Sequence, residues 1–375
     1  MKRSRESLFA LMLIALIMSG LWVTLAFIYS QGTSPFGPGS YTPSSSDATT
    51  RLTSSLYGGI SFDLTKTEGY LDGYNLFNLH AINASKRNER INNSLVIFDM
   101  DGNLILENSA FRKPVEIIDS ITILGYSPDG AMLWNMETDE YLHTNIRGHH
   151  ELEYNPNSNT IFTLNMTHVE IEGDSYRFDE ICEYALNGSL VWKLDLHEFI
   201  DLSDWCPFHD REESMNDVTH ANSIFYDADE DTIILNVRNV NTFYKIDHAT
   251  GEVIWALGEH GDFTLIDRFG RERTSLFYRA HTVEQIDDDR FILFDNDFHN
   301  QTEQFSFRSR ILEIEIDDET MTAQEVWSWT GDASYFSVWW GDADRLANGN
   351  RLGTFGAEIK YEGPYGARLV EVNDE

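Results

Sequence analysis

From about residue 56 onward the chain is built of short runs in which apolar and polar residues alternate, separated by turn-forming pairs. "SLVIFDMDGNLILEN", "EYALNGSLVWKLDL" and "YKIDHATGEVIWALG" each read as strand, tight turn, strand, with Asp-Gly, Asn-Gly or Thr-Gly at the bend. A period of two over most of the chain predicts an all-β fold. One short helix is expected near "LDLHEFIDLSD", inside an insertion taken as solvated.

The hairpins also repeat at long range. "HELEYNPNSNTIFTL" begins at His150, "HANSIFYDADEDTIILNV" at His220, "HTVEQIDDDRFILFD" at His281 and "GDADRLANGNRLGTFG" at Gly341, at intervals of 70, 61 and 60 residues. Each unit holds about four strands, which is the content of a propeller blade. Four units follow His150, and the preceding stretch leaves room for one or two more. The expectation is a six-bladed β-propeller over residues 56–375 whose terminal strands complete one another.

The first 55 residues follow different patterns. After Lys2, Arg3 and Arg5, the run Leu8–Tyr29 carries no charge and is long enough to cross a bilayer as a helix. Its flanking basic residues favour a cytoplasmic N-terminus. Residues 1–30 are therefore read as a single-pass signal-anchor in the cell membrane, 31–55 as a flexible Ser/Thr/Gly/Pro tether, and 56–375 as an extracytoplasmic domain. Sequons at Asn83, Asn92, Asn165, Asn187 and Asn300 permit glycosylation in that compartment. Cys182 and Cys206 have the option of pairing there.

Charge narrows the partners. Sixty-two acidic residues against 27 basic ones give a net charge of −35, spread along the chain rather than gathered in a tail. Such a surface repels nucleic acid and anionic headgroups. Dispersed acidity suits concentrated salt, where screening acts within about 3 Å at 1 M, and points to a halophilic source.

The repeat also raises a chemical question, because His150, His220 and His281 stand at equivalent places in successive units. A radial fold would bring them to one height around a common axis, although each taken alone reads as a histidine satisfying backbone groups at a strand entrance. At these residues the sequence resembles the bacterial arylsulfate sulfotransferases, six-bladed propeller enzymes that transfer sulfuryl groups between phenols without a nucleotide donor. "DVTHANSIFYDADEDTIILNVRNVNTFYKIDHATGEVIWALG" is similar to that family's central segment, and "RAHTVEQIDDDRFILFDND" to the segment bearing its nucleophilic histidine. "GHHELEYNPNSNTIFTL" and "GDADRLANGNRLGTFG" resemble two further family segments.

The resemblance implies His281 as nucleophile, His220 and His150 as further catalytic histidines and Arg238 as the anion-binding residue. It adds Asn222 and His149 as substrate contacts. It implies a phenolic sulfate ester donor, a phenol acceptor and neither cofactor nor metal. These residue types suit the chemistry. A sulfuryl group in flight carries anionic oxygens that a guanidinium fork can hold, and histidine switches between nucleophile and proton donor near neutrality. Two alternatives stay open: a transition metal on the three histidines, which a nearby arginine opposes, and a non-catalytic ligand- or protein-binding propeller ectodomain. "LDLHEFIDLSDWCPFHDREE", with His197 and His209, reads as a solvated stretch, Asp295 and Asp297 as an exposed strand end, and "SYFSVWWGD" first as core packing.

Protease added to sealed cells or spheroplasts is expected to remove the domain; full protection would reverse the orientation.

Overall fold

The computed structural model describes residues 26–29, 48–53, 61–66, 69–82, 90–112, 115–206, 216–297, 308–332, 335–356 and 367–374. Its strands form a six-bladed β-propeller. Blade 1 contains Tyr74–Ile82, Arg90–Asp99 and Leu104–Asn108, and blade 2 contains Val115–Ile117, Thr122–Ser127, Gly130–Asn135 and Glu140–His143. Blade 3 runs His149–Asn155, Thr160–Ile171, Asp174–Ala185 and Leu190–Asp195, and blade 4 runs Ala221–Asp227, Thr232–Val237, Thr242–Asp247 and Val253–Gly258. Blade 5 holds His281–Asp287, Arg290–Asp295, Arg310–Asp317 and Thr322–Thr330, extended by Thr264–Ile266 and Glu272–Arg273. Blade 6 holds Asp342–Arg345, Arg351–Phe355 and Arg368–Val372.

The units starting at His150, His220, His281 and Gly341 are thus blades 3 to 6. The expected turns form as the sequence dictates. Gly188 (φ +84°) and Gly251 (φ +75°) take the left-handed conformation that closes their hairpins.

The core sits between blades rather than within them. In Thr232–Val237 every residue is buried, and alternate side chains serve opposite neighbours: Ile233 and Leu235 pack towards blade 3, Ile234 towards blade 5. Similar clusters join blades 2 and 3 through Leu124 and Ile161, and blades 5 and 6 through Phe294 and Phe355. Each fully buried Ile, Leu or Phe contributes about 1.5–3 kcal/mol, so the middle strands hold the ring together.

The ring closes between blades 6 and 1. Leu71 N donates to Glu371 Oε1 (2.7 Å), Asn350 Nδ2 donates to Gly69 O (2.9 Å), and Leu369 packs on the blade 1 core. Among the described residues this closure is made by loops and side chains and no terminal strand pairs across it, unlike the expected exchange.

The N-terminal expectations are only touched. Of the Leu8–Tyr29 run only Ala26–Tyr29 lies among the described residues, as a strand parallel to Leu79–Ile82; residues 1–25 lie outside them. No helix among the described residues is long and apolar enough to cross a membrane. Ala48–Thr53, expected in the tether, pairs antiparallel with Ser61–Lys66. Cys182 and Cys206 are both buried. The helix near residue 196 is reduced to two 3-10 turns, Leu196–Glu198 and Leu202–Asp204. This segment is not a solvated insertion, because Leu196 and Ile200 are buried in the core between blades 3 and 4. His209 lies outside the described residues.

A polar clasp pins blade 3 to blade 4. His248 lies 2.7 Å from Asp231 Oδ1 and 3.1 Å from Glu183 Oε2, edge-on to Phe162 and Trp192. Burial lowers its pKa, but Glu183 and Asp231 outweigh that and leave it raised above 6.5. The protonated clasp therefore contributes fully below pH 6.5 and is lost as pH rises through the raised value. His248→Gln is expected to cost about 2 kcal/mol at pH 6, with the gap to wild type narrowing as pH rises, in urea melts at a series of pH values.

Candidate active site

The first strand of each blade lines the axis, and those of blades 3, 4, 5 and 6 touch in succession. In three of them the ladder breaks at the histidine. Register shifts fall between His149 and Leu152, between Ala221 and Ser223, and between His281 and Glu284. Left-handed backbone accompanies each break, at His150 (φ +58°), His220 (φ +46°) and Thr282 (φ +42°). None of these is glycine, so each conformation is strained and must be held by its surroundings. A bulge re-aims a side chain that regular pleating would send elsewhere. The same device thus recurs at all three histidines.

Asp179 holds two of them. Its side chain is fully buried on the third strand of blade 3, and Oδ2 accepts from Thr219 Oγ1 (2.7 Å) and Ala221 N (2.6 Å), on either side of His220. Its Oδ1 lies 3.1 Å from His149 Nε2. His149 Nδ1 in turn is 2.7 Å from His150 Nδ1, so one ring donates and the other accepts. The His150 and His220 rings then meet edge to face, with centroids 4.9 Å apart.

His220 is oriented by Asp217, whose Oδ2 lies 2.5 Å from Nδ1. Asp217 is buried and also paired with Arg177, whose Nε donates to Oδ1 at 2.9 Å. Burial raises the Asp217 carboxyl, but His220 and Arg177 together hold it below its ordinary value. It therefore stays an acceptor and takes a hydrogen bond from His220 Nδ1, which leaves proton exchange to Nε2.

His281 is buried differently. Its Nδ1 lies 2.7 Å from Asn296 Oδ1. The amide is oriented by its other end, since Asn296 Nδ2 donates to Ser337 O (2.8 Å) and Trp340 O (3.0 Å). The oxygen thus faces the ring, the hydrogen sits on Nδ1, and the lone pair is on Nε2. Burial, then the charge of Arg238, push the His281 pKa down to about 3, against hydrogen bonding from Asn296 and the Arg279 backbone. At neutral pH the ring is uncharged.

Arg238 follows the second strand of blade 4, in the 3-10 turn Arg238–Val240, and is 2% exposed. Its Nη1 donates to Asn239 Oδ1 at 3.0 Å, an oxygen that also accepts from the buried Arg279. Asn239 is tethered in turn, with Nδ2 on Asp217 O (2.8 Å) and its carbonyl accepting from Cys206 N (2.9 Å). Asn222 is buried with Nδ2 on Ala280 O (2.9 Å) and Oδ1 accepting from Asn236 (2.6 Å), so it holds the chain entering His281.

Three buried or half-buried arginines, four histidines and the oriented carboxylates therefore surround one end of the axis. This arrangement can bind an anionic group, offer an uncharged nitrogen nucleophile and relay a proton. Among the described residues the ligand atoms of these histidines do not gather as a group able to hold a metal ion.

Sequence reasoning missed Arg177, Asp179, Asp217, Asn239, Arg279 and Asn296. Asp217 and Arg279 carried a signal, lying three residues before His220 and two before His281. Asp179 and Arg177 come from another blade and carried none. Asp295, expected at an exposed strand end, is instead 1% exposed, accepts from Tyr278 N (2.9 Å) and pairs with Arg310 Nε (2.8 Å). Beside it, burial first and then Asp295 raise Asp297 to about 7. Tyr335 and Phe336 do pack in the core, while Trp339 is exposed.

Residues 77–375 match the family model described as arylsulfotransferase (ASST). No curated protein matches. Among solved structures the chain is similar to hydrazine synthase of Kuenenia stuttgartiensis, at 10% identity and TM-score 0.38, covering 68% of this chain and 61% of that one. It is also similar to a hypothetical selenium-binding protein from Sulfolobus tokodaii, at 9% identity and TM-score 0.37, covering 64% and 60%. The chain thus spans under two thirds of the length of either.

Asp179→Ala is expected to destabilise the domain by about 3 kcal/mol, because it orphans two buried donors at roughly 1–3 kcal/mol each. Urea unfolding of the variant against wild type measures it.

Proposed function

Since this chain belongs to the arylsulfotransferase family, we propose that it moves a sulfuryl group from a phenolic sulfate ester to a phenol through a sulfated His281. The observation that carries this reading is the state of His281: buried, uncharged at neutral pH, and with its hydrogen fixed on Nδ1 by Asn296. A nucleophile needs a free pair on a neutral nitrogen, and the Asn296 contact leaves that pair on Nε2.

In the first step Nε2 attacks sulfur, the sulfur–oxygen bond to the aryl group breaks, and the phenolate departs with the electron pair. His220 or His150 supplies the proton that a poor leaving group needs. Arg238 holds the sulfuryl oxygens and gains most as charge redistributes in flight. In the second step the acceptor phenol attacks sulfur, the nitrogen–sulfur bond breaks, its pair returns to Nε2, and the phenolic proton passes to the histidine that had donated. Asp217 is a positioning residue that holds His220 by Nδ1, so that Nε2 gives up the proton in the first step and takes it back in the second. No cofactor enters the scheme.

The location of the domain outside a membrane anchored by residues 1–30 is part of the same proposal, supported by the uncharged run and its basic flank. So is a halophilic setting, supported by the net charge of −35.

Incubation with p-nitrophenyl sulfate in high salt is expected to add about 80 Da to the peptide containing His281, as a covalent intermediate requires. His281→Asn abolishes turnover while leaving the fold intact, and Arg238→Lys keeps the charge but loses the fork and most of the rate. The rate of His281 sulfation by this donor, whose phenolate leaves unaided, changes less than about threefold between pH 8 and pH 5. A histidine with an ordinary pKa of about 6.5 would lose roughly thirtyfold over the same span. Undiminished turnover in His281→Asn refutes the mechanism. A folded wild type that binds aryl sulfate without turning it over supports a binding ectodomain instead.

A further inference from the structure

Carboxylates also line the axis further along the same strands, and the seams between blades account for part of them. Glu116 Oε2 accepts from Tyr154 N of the next blade (2.7 Å), and Glu153 Oε1 accepts from Tyr226 N (2.8 Å). These two clasp neighbouring blades. Glu284 of blade 5 and Asp342 and Asp344 of blade 6 remain as a group whose ligand oxygens all lie within 4.8 Å of one another.

Two further observations point to a ligand. Asp344 is 2% exposed, yet neither of its oxygens has a hydrogen-bond partner among the described residues. Thr354 lies directly opposite Asp342 in the antiparallel ladder and so stands on the same face of the blade. It is 1% exposed, and its Oγ1 likewise has no partner among the described residues. Buried polar atoms are normally satisfied, so orphaned oxygens from two strands beside three carboxylates mark an unmet need for positive charge or donors. Burial, then Asp342, raise both the Glu284 and Asp344 carboxyls well above their ordinary range.

The group is separate from the histidines. Glu284 lies three residues beyond His281, on the far side of the register shift that separates them. The charges that act on Glu284 come from Asp342 and Glu151, whereas those on His281 come from Arg238 and His220. The candidate ligands are all oxygens, the set that suits a hard ion and not zinc or copper.

We propose that Glu284, Asp342 and Asp344, with the Thr354 hydroxyl, form a site for a hard divalent cation of the calcium type. Bound there, the ion bridges the inner strands of blades 5 and 6. Blade 6 has three strands among the described residues and meets blade 1 through loops, so a bridge at its inner edge would secure the weakest part of the ring. The inference is independent of sulfuryl transfer.

The test uses the full-length protein, stripped with EDTA and dialysed into chelator-free KCl buffer, with CaCl2 as the probe. Calorimetric titration is expected to show one saturable equivalent per chain, and the melting temperature to rise with CaCl2, as for any ligand that binds only the folded state. Asp344→Asn should lose both the equivalent and the rise, and Glu284→Gln should weaken affinity at least tenfold. His281→Asn should keep the equivalent. If Asp344→Asn does not fold, Asp342→Asn and Glu284→Gln decide the matter by the same two measurements. No saturable equivalent in wild type up to about 10 mM CaCl2, or one undiminished in the acidic-group variants, overturns the proposal.

Discussion

In blades 2 to 6 the inner strand is an edge strand, and its unpaired amides face the axis of the ring. No pairing joins the inner strand of one blade to that of the next, because each belongs to its own sheet. A buried amide without a partner is costly, so polar side chains from neighbouring strands take over. Glu116 and Glu153 serve Tyr154 and Tyr226, Ser223 Oγ serves Val283 (3.1 Å), Asp179 serves Ala221, and Asn241 serves Arg279 (3.0 Å). Most of the buried polar character of the axis follows from this one requirement.

The same requirement shapes the site. Where the ladder breaks at His150, His220 and His281, more amides are released and the backbone turns left-handed, so the strain needs a rigid frame. Asp179 supplies it for blades 3 and 4, and the Asn222–Asn236–Ala280 contacts supply it for blade 5. Charge is then sorted along the axis: Arg177, Arg238 and Arg279 stand at the histidine end with Asp179 and Asp217, and the group beyond is acidic. In a chain of net charge −35, that sorting leaves one place where cationic groups collect. It also keeps the acidic group away from His281.

Much of this was legible in the chain. A period of two with Gly-containing turns reflects strands and hairpins because alternation follows directly from the pleat. Spacing of 60 to 70 residues reflects blades because each blade repeats one supersecondary unit. The histidines were visible because they recur in register. What misled was burial. Leu196 and Ile200, in a segment rich in acids, look solvated until the core between blades 3 and 4 receives them, and Asp295 looks exposed until Arg310 and Tyr278 close over it.

By itself, then, the sequence determined the fold class, the number of units and which residues could carry nitrogen chemistry, since all three depend on local pattern and repetition. Tertiary structure alone decided which nitrogen of His281 bears the lone pair, which carboxylate orients His220, and how far burial pushes a titration. Those properties arise from groups on different blades, such as Asn296 against His281 or Arg177 against Asp217, which converge only once the ring has formed. Hydrogen bonds and electrostatic fields depend on separations of a few ångströms in space, and a linear sequence does not encode separations across a closed ring.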